Sequence, residues 1–309
     1  MTTAFLFPGQ GSQFAGMGKS LADSYPAARA VFEEADEALG FALSKLCFEG
    51  PDEALKLTEN TQPALLAVST AAFRVLSEQG FRPDYVAGHS LGEYSALVAA
   101  GSLKFADALR LVRKRGQYMQ QAVPAGVGAM AALLRLPEGK LEGILAEAAQ
   151  GEVVTAANIN SPDQVVIAGH AGAVQRAADM AKAAGAKRAV MLPVSAPFHC
   201  PLMKPAQDRL AVDLQATAFA ELEVPLIQNV TAVETRSGAE ARQGLIEQVS
   251  GTVRWADSVR RLAALGVERC IEAGAGQVLT GMLRSIDPAL KGMKLGEAAD
   301  VEKLNAPVA

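Results

Sequence analysis

The chain has 309 residues, 50% of them hydrophobic, which is enough apolar material for one large core. Its formal net charge of −4 excludes a general electrostatic affinity for nucleic acid or an anionic membrane. No apolar run reaches bilayer-spanning length, and the N-terminus MTTAFLFPGQG, without a basic region or cleavage-like site, predicts no secretory signal. In chain order, TAFLF (3–7) is a short apolar run closed by Pro8-Gly9 and reads as a buried strand. Helical patterns follow over 26–39 and 62–78, then DYVAG (84–88) as a second buried strand, then helices over 91–100 and 105–121. This alternation predicts an α/β fold with a mainly parallel, helix-covered sheet. The rhythm changes near Pro124. GVGAMAALLRL (126–136), EVVTAANIN (152–160), QVVIAG (164–169) and KRAVMLPV (187–194) read as strands, with helices over 138–149 and 171–184. The order β-α-β-β-α-β is that of a ferredoxin-like unit. It predicts an inserted subdomain at 124–195 within a core made of 1–123 and 196–309. Beyond it, helices are expected near 202–218, 241–250, 257–265 and 277–285, and strands in PLIQNV (225–230) and RCIEAG (269–274). The tail after about 298 is expected to be loosely held.

The segment Gly88-His89-Ser90-Leu91-Gly92 lies between a strand and a helix and fits G-x-S-x-G, a nucleophile elbow. Glycines flank the serine because neighbouring Cβ atoms would clash in so sharp a turn. The helix N-terminus beyond it aims backbone N–H groups, that of Leu91 first, at a developing oxyanion. Gly and Ser also make ordinary turns; the strand-to-helix placement favours the nucleophile. A serine needs a base, and the chain has only three histidines. His89 adjoins the nucleophile and should point to the other side of the strand end. His170 closes a strand of the insert and reads as a surface or packing residue. His199, in a loop between Pro197 and Pro201, remains. No acid of a Ser-His-Asp triad declares itself: Asp107, Asp163 and Asp179 precede His199, but none sits at a strand end facing the elbow. The three cysteines, Cys47, Cys200 and Cys270, lie far apart, which predicts reduced thiols in a cytoplasm, and Cys200 reads as a buried inert thiol. With no Cys/His cluster, no metal site is expected.

FPGQGSQ (7–13), TQPALLA (61–67), GHSLGEYSAL (88–97), RGQYMQ (115–120) and APFHCPLM (196–203), in that order, resemble the malonyl-CoA:acyl carrier protein transacylases. NINSPDQVVIAG (158–169) and EQVSGTVRW (247–255) extend the likeness over essentially the whole chain. The resemblance implies an α/β-hydrolase-like core carrying the ferredoxin-like insert. It implies Ser90 as the acylated nucleophile, His199 as general base and later acid, and the backbone carbonyl of Gln248 in place of the missing acid. The N–H of Leu91 and a group of Gln10 become oxyanion donors. Arg115 becomes the clamp on the malonyl carboxylate, which guanidinium fits as a planar fork. Phe198, Asn158 and Gln62 fall in the substrate site, and Phe198 resembles malonyl-selective relatives. Read without the resemblance, Gln10 is a turn residue and Arg113-Lys114-Arg115 a solvated helix face.

The implied reaction moves malonyl from malonyl-CoA to the phosphopantetheine thiol of acyl carrier protein through a serine ester. It supplies fatty acid synthesis in the cytoplasm, with no metal or redox cofactor, no nucleic acid or membrane, and the chain acting as a monomer. Lys187 and Arg188 are candidates for docking an acidic carrier. The competing readings are a trans-acting polyketide acyltransferase, which differs in its carrier, and a serine hydrolase or thioesterase, against which Arg115 and the missing acid argue. A carrier-binding scaffold without activity is a third.

Overall fold

The computed structural model describes residues 1–194 and 196–305. Among them the strands are β1 (Thr3–Phe7), β2 (Tyr85–Gly88), β3 (Gly128–Leu134), β4 (Val154–Ser161), β5 (Gln164–His170), β6 (Arg188–Met191), β7 (Leu226–Ile227), β8 (Glu234–Thr235), β9 (Arg269–Ala273) and β10 (Lys291–Leu295). The larger sheet has the order β10-β9-β1-β2-β7-β8, parallel except for the β7–β8 pair. All of β1 is buried, as a strand covered on both faces must be. Its side chains alternate between two cores: Phe5 and Phe7 join the helices on one face, while Ala4 and Leu6 pack with Trp255, Val259 and Leu262 on the other. The fold is therefore mixed α/β around a mainly parallel sheet.

The smaller sheet is antiparallel, in the order β4-β5-β3-β6, the arrangement of a ferredoxin-like unit. The helices Leu141–Ala149 and Ala171–Ala183 cover one face through Ile144, Ala148, Val174 and Ala177. The opposite face turns Met130, Ala132 and Val166 toward the main core. Backbone bonds join the two sheets' segments: Val253 N–H donates to Ala157 (2.8 Å) and Ile159 N–H to Val253 (2.9 Å).

Several elements differ from expectation. The helix expected from 62 begins a turn earlier, as Thr58–Glu78, because Leu57 accepts from the N–H of Asn60 and of Thr61, both at 2.8 Å. The helix expected from 138 starts at Leu141, after the Pro137-Glu138-Gly139 turn. PLIQNV yields only Leu226–Ile227, since Gln228 and Asn229 leave the sheet for other partners. The loosely held tail is corrected in part: Asp300–Asn305 is a helix whose Val301 and Leu304 are buried. Residues 306–309 of that tail lie outside the described residues.

Candidate active site

The elbow forms where β2 ends beside β1. A Cβ on Gly88 would lie 1.9 Å from the carbonyl oxygen of Gly92, and one on Gly92 would lie 2.0 Å from that of Phe7. Only glycine permits the helix Gly92–Ala99 to start so close to the strands. Ser90 is forced to a φ of 52°, in the left-handed region that non-glycine residues avoid. Asn229, just past β7, holds this turn: its Nδ2 donates to the Gly88 carbonyl and its Oδ1 accepts from Ser90 N–H, each at 2.7 Å.

His199 meets the serine from the chain that returns after the smaller sheet, itself at a φ of 58°. Its Nε2 lies 2.7 Å from Ser90 Oγ, and its Nδ1 lies 2.8 Å from the backbone carbonyl of Gln248. A carbonyl can only accept, so Nδ1 carries the proton and Nε2 presents its lone pair to the serine hydroxyl. Burial, and then the nearby Arg115 cation, hold His199 down to about 3, so the ring is neutral at physiological pH. Among the described residues no carboxylate bonds His199; the carbonyl orients the ring instead. His89 bonds Asn160 (2.8 Å) and faces Trp255 rather than the serine, and His170 accepts from Val153 N–H (2.9 Å) as a packing residue.

The basic triplet on the helix Phe105–Gln121 splits three ways, because successive residues turn about 100° around a helix. Lys114 is at the surface, paired with Asp213. Arg113 lies over the Phe41 ring. Arg115 points inward and is 2% exposed, so the solvated-face reading does not hold for it. Its guanidinium donates to Gln62 Oε1 (2.8 Å), Gln248 Oε1 (2.9 Å) and Ser90 Oγ (3.1 Å), while its Nε has no partner among the described residues. Among the described residues no carboxylate touches this cation.

A cavity of about 380 Å³ opens over the serine. Ser90, Leu91, His199, Arg115, Gln10, Gln62, Asn158 and Phe198 all border it. Gln248 is fully buried behind the wall and reaches the cavity through His199, Arg115 and the Ser90 carbonyl, to which its Nε2 donates at 2.9 Å. Gln10, in the loop after β1, bonds Thr58 Oγ1 at 3.3 Å. The Leu91 N–H donates to no other group among the described residues, so a donor stands free beside the nucleophile. Asn158 Oδ1 is likewise buried and unpartnered there. Met119, Met130, Leu192 and Val194 supply an apolar wall. Cys200, though next to His199 in sequence, points its thiol at the Pro197 carbonyl, and burial pushes it up to about 11.

Sequence reasoning missed two residues of this network. One is Asn229, whose signal is a polar residue closing an apolar strand beside the elbow strand. The other is Glu93, a lone acid in the apolar run GEYSALVA, which is fully buried and accepts from Gln248 Nε2 (2.6 Å). Burial pushes its carboxyl up to about 7.

The arrangement is a serine nucleophile with a neutral base, a free oxyanion donor and an unpaired buried cation within reach of the acyl group. The acyl transferase domain family matches residues 4–297. The malonyl CoA-acyl carrier protein transacylase of Escherichia coli K12 is 51% identical over 295 residues, covering 95% of this chain and 96% of that protein. The crystal structure of an acyl carrier protein S-malonyltransferase from Vibrio cholerae superposes with a TM-score of 0.96 at 48% identity, over 98% of this chain and 100% of the other. A malonyl-transacylase in complex with a type II PKS acyl carrier protein has the same TM-score, 0.96, at 45% identity, over 98% of both chains. With a serine elbow, a histidine base and this likeness over nearly its whole length, the chain belongs to the acyl transferase domain family.

Proposed function

We propose that this protein transfers the malonyl group of malonyl-CoA to the phosphopantetheine thiol of acyl carrier protein through an ester on Ser90. The observation that carries the reading is Arg115: an unpaired guanidinium 3.1 Å from the nucleophile suits an acyl group that bears its own carboxylate. As the thioester carbonyl settles over Ser90, the malonyl carboxylate draws the guanidinium off the serine oxygen. His199 Nε2 takes the hydroxyl proton while Oγ attacks the carbonyl carbon. The oxyanion is met by the Leu91 N–H and Gln10, each such donor contributing about 3–4 kcal/mol. Collapse expels CoA, whose sulfur receives the proton from His199. In the second half the carrier thiol gives its proton to His199, attacks the ester and restores Ser90. Phe198, Asn158 and Gln62 bound the acyl and pantetheine path.

The relatives named above support both the donor and the acceptor. The complex with a type II PKS carrier favours a second reading, polyketide rather than fatty acid synthesis, in which the chemistry at Ser90 is unchanged and only the carrier differs. Lys187 and Arg188, just before and at the start of β6, are exposed and suit an acidic carrier. We assign 124–195 to an inserted subdomain and 1–123 with 196–309 to the catalytic core; the separate sheets among the described residues support this division. We also place the protein in the cytoplasm, in keeping with three buried free cysteines. No helix among the described residues is long and apolar enough to cross a membrane.

Intact-mass measurement after mixing with malonyl-CoA tests the proposal. A single malonyl addition is expected on Ser90, stable in water until a carrier thiol arrives, and absent in Ser90→Ala. Rapid release of malonate would instead identify a hydrolase. Labelling that survives Ser90→Ala, or that maps to Cys200, overturns the mechanism.

A further inference from the structure

Arg115 is a buried cation with no carboxylate in contact among the described residues, yet a full charge in an apolar interior needs an opposite charge nearby. The structure holds one at a single remove. Arg115 Nη2 donates to Gln248 Oε1 (2.9 Å), and Gln248 Nε2 donates to Glu93 Oε2 (2.6 Å). The amide thus lies with its oxygen toward the cation and its NH2 toward the carboxylate. The flipped amide would set NH2 against guanidinium and oxygen against both the carboxylate and the Ser90 carbonyl, which accepts from Nε2 at 2.9 Å, so the two charges and that carbonyl together fix its orientation. Glu93 Oε2 also accepts from Asn229 N–H (3.3 Å), and its other oxygen has no partner among the described residues. Glu93 sits in the first turn of the helix Gly92–Ala99, where the helix dipole favours an anion.

We propose that Glu93 is the internal counter-anion of Arg115, linked to it through the Gln248 amide, and that its charge weakens the grip of Arg115 on a substrate carboxylate. The inference rests on the reading of Arg115 as the malonyl clamp. With Glu93 ionised, the incoming malonyl carboxylate shares one buried cation with a second anion and is held less tightly. With Glu93 protonated, the cation is free to bind the substrate fully. Glu93 is thereby a positioning residue: it touches neither the substrate nor the reacting atoms, and it limits how firmly the acyl-enzyme retains a group that must leave in the next half-reaction. Its pull toward neutral pH, caused first by burial, places the change within the working range. Arg115 and Tyr94 are the charged and titratable groups that feel it directly, and His199 and His89 on adjacent segments are shifted toward the neutral form by burial.

The test compares the KM for acylation by malonyl-CoA with that by acetyl-CoA, in wild type and Glu93→Gln, from about pH 6 to about pH 8.5. Glutamine keeps the acceptor for Gln248 and Asn229 and removes only the charge. In the wild type, malonyl KM is expected to rise about tenfold across this range while acetyl KM stays flat, the size of a like-charge term about 12 Å apart, across the guanidinium and the Gln248 amide, at an effective dielectric of about 20. In Glu93→Gln the malonyl KM is expected to remain low and lose its pH dependence. Equal loss of kcat/KM for both substrates would make Glu93 merely structural. If the variant fails to fold, a wild-type malonyl KM that tracks acetyl at every pH overturns the inference by itself. A malonyl-specific loss in Arg115→Ala alongside an unresponsive Glu93→Gln would leave the clamp standing and this inference refuted.

Discussion

Arg115→Ala separates specificity from chemistry. In the free protein the guanidinium is 2% exposed and donates to Gln62, Gln248 and Ser90 at 2.8, 2.9 and 3.1 Å. With malonyl bound, its removal would leave the carboxylate without its guanidinium partner in a pocket whose apolar wall is Met119, Met130, Leu192 and Phe198. Losing one partner of such a desolvated pair costs about 2–5 kcal/mol, or roughly 30- to several-thousand-fold in kcat/KM. Malonyl transfer should fall by that factor. Acetyl transfer never used the pair and should be retained, or rise as the unsatisfied cation disappears. Arg115→Lys should restore malonyl only in part, since ammonium supplies charge without the planar fork. The assay is single-turnover acylation of Ser90 by each CoA ester, with thermal unfolding in parallel to separate loss of fold. An equal loss for both substrates refutes the reasoning and makes Arg115 structural or catalytic.

Because His199 is held down to about 3, kcat for Ser90 acylation at saturating malonyl-CoA should hold as the pH falls through 6.5, the ordinary value for histidine. A sigmoidal loss centred at that value would show the ring titrating as an exposed one. The same depression links to stability: below 6.5 the unfolded chain binds a proton that the folded one refuses, so this contribution is full above that pH and lost as pH drops toward about 3. Urea midpoints at graded pH read it, and a midpoint unchanged over that interval contradicts it. Asn229→Ala leaves the Ser90 N–H and the Gly88 carbonyl unpaired in a fully buried place. It should cost about 2–4 kcal/mol of stability and lower kcat with it; full activity in the destabilised variant would show that Asn229 does not hold the elbow.

The parts of the fold that carry strong periodicity were legible from residues alone. β1 is five apolar or small residues closed by Pro-Gly, and the β-α-β-β-α-β order was plain in the alternation of Ala- and Val-rich runs. β10, KGMKL, escaped because two lysines, Lys291 and Lys294, in a five-residue edge strand blunt the apolar signal. The tail helix carries two buried apolar residues among those described, Val301 and Leu304, too few to stand out. Ser90 and His199 could be paired by elimination because histidine is scarce. Arg115 could not be told from Arg113 or Lys114 by spacing; only the motif resemblance singled it out. Glu93 and Asn229 were invisible for a physical reason. Each is a single polar residue whose meaning depends on a partner more than 100 positions away, at separations of 155 and 139.

The parts of the site are also far apart in time of synthesis. Ser90 and His199 are 109 residues apart, His199 and the Gln248 carbonyl 49, and β1 gains its β9 neighbour only when Arg269–Ala273 has been made. At about 5–20 residues per second, a nascent chain carries the serine for on the order of 10–40 s before that last central strand exists. Until Gln248 has been made the hydroxyl has no complete base beside it, and throughout the interval the main sheet is open along one edge of β1. Recovery of Ser90 acylation during refolding should therefore lag behind the return of helical signal, because it reports the closing of the longest loops in the chain.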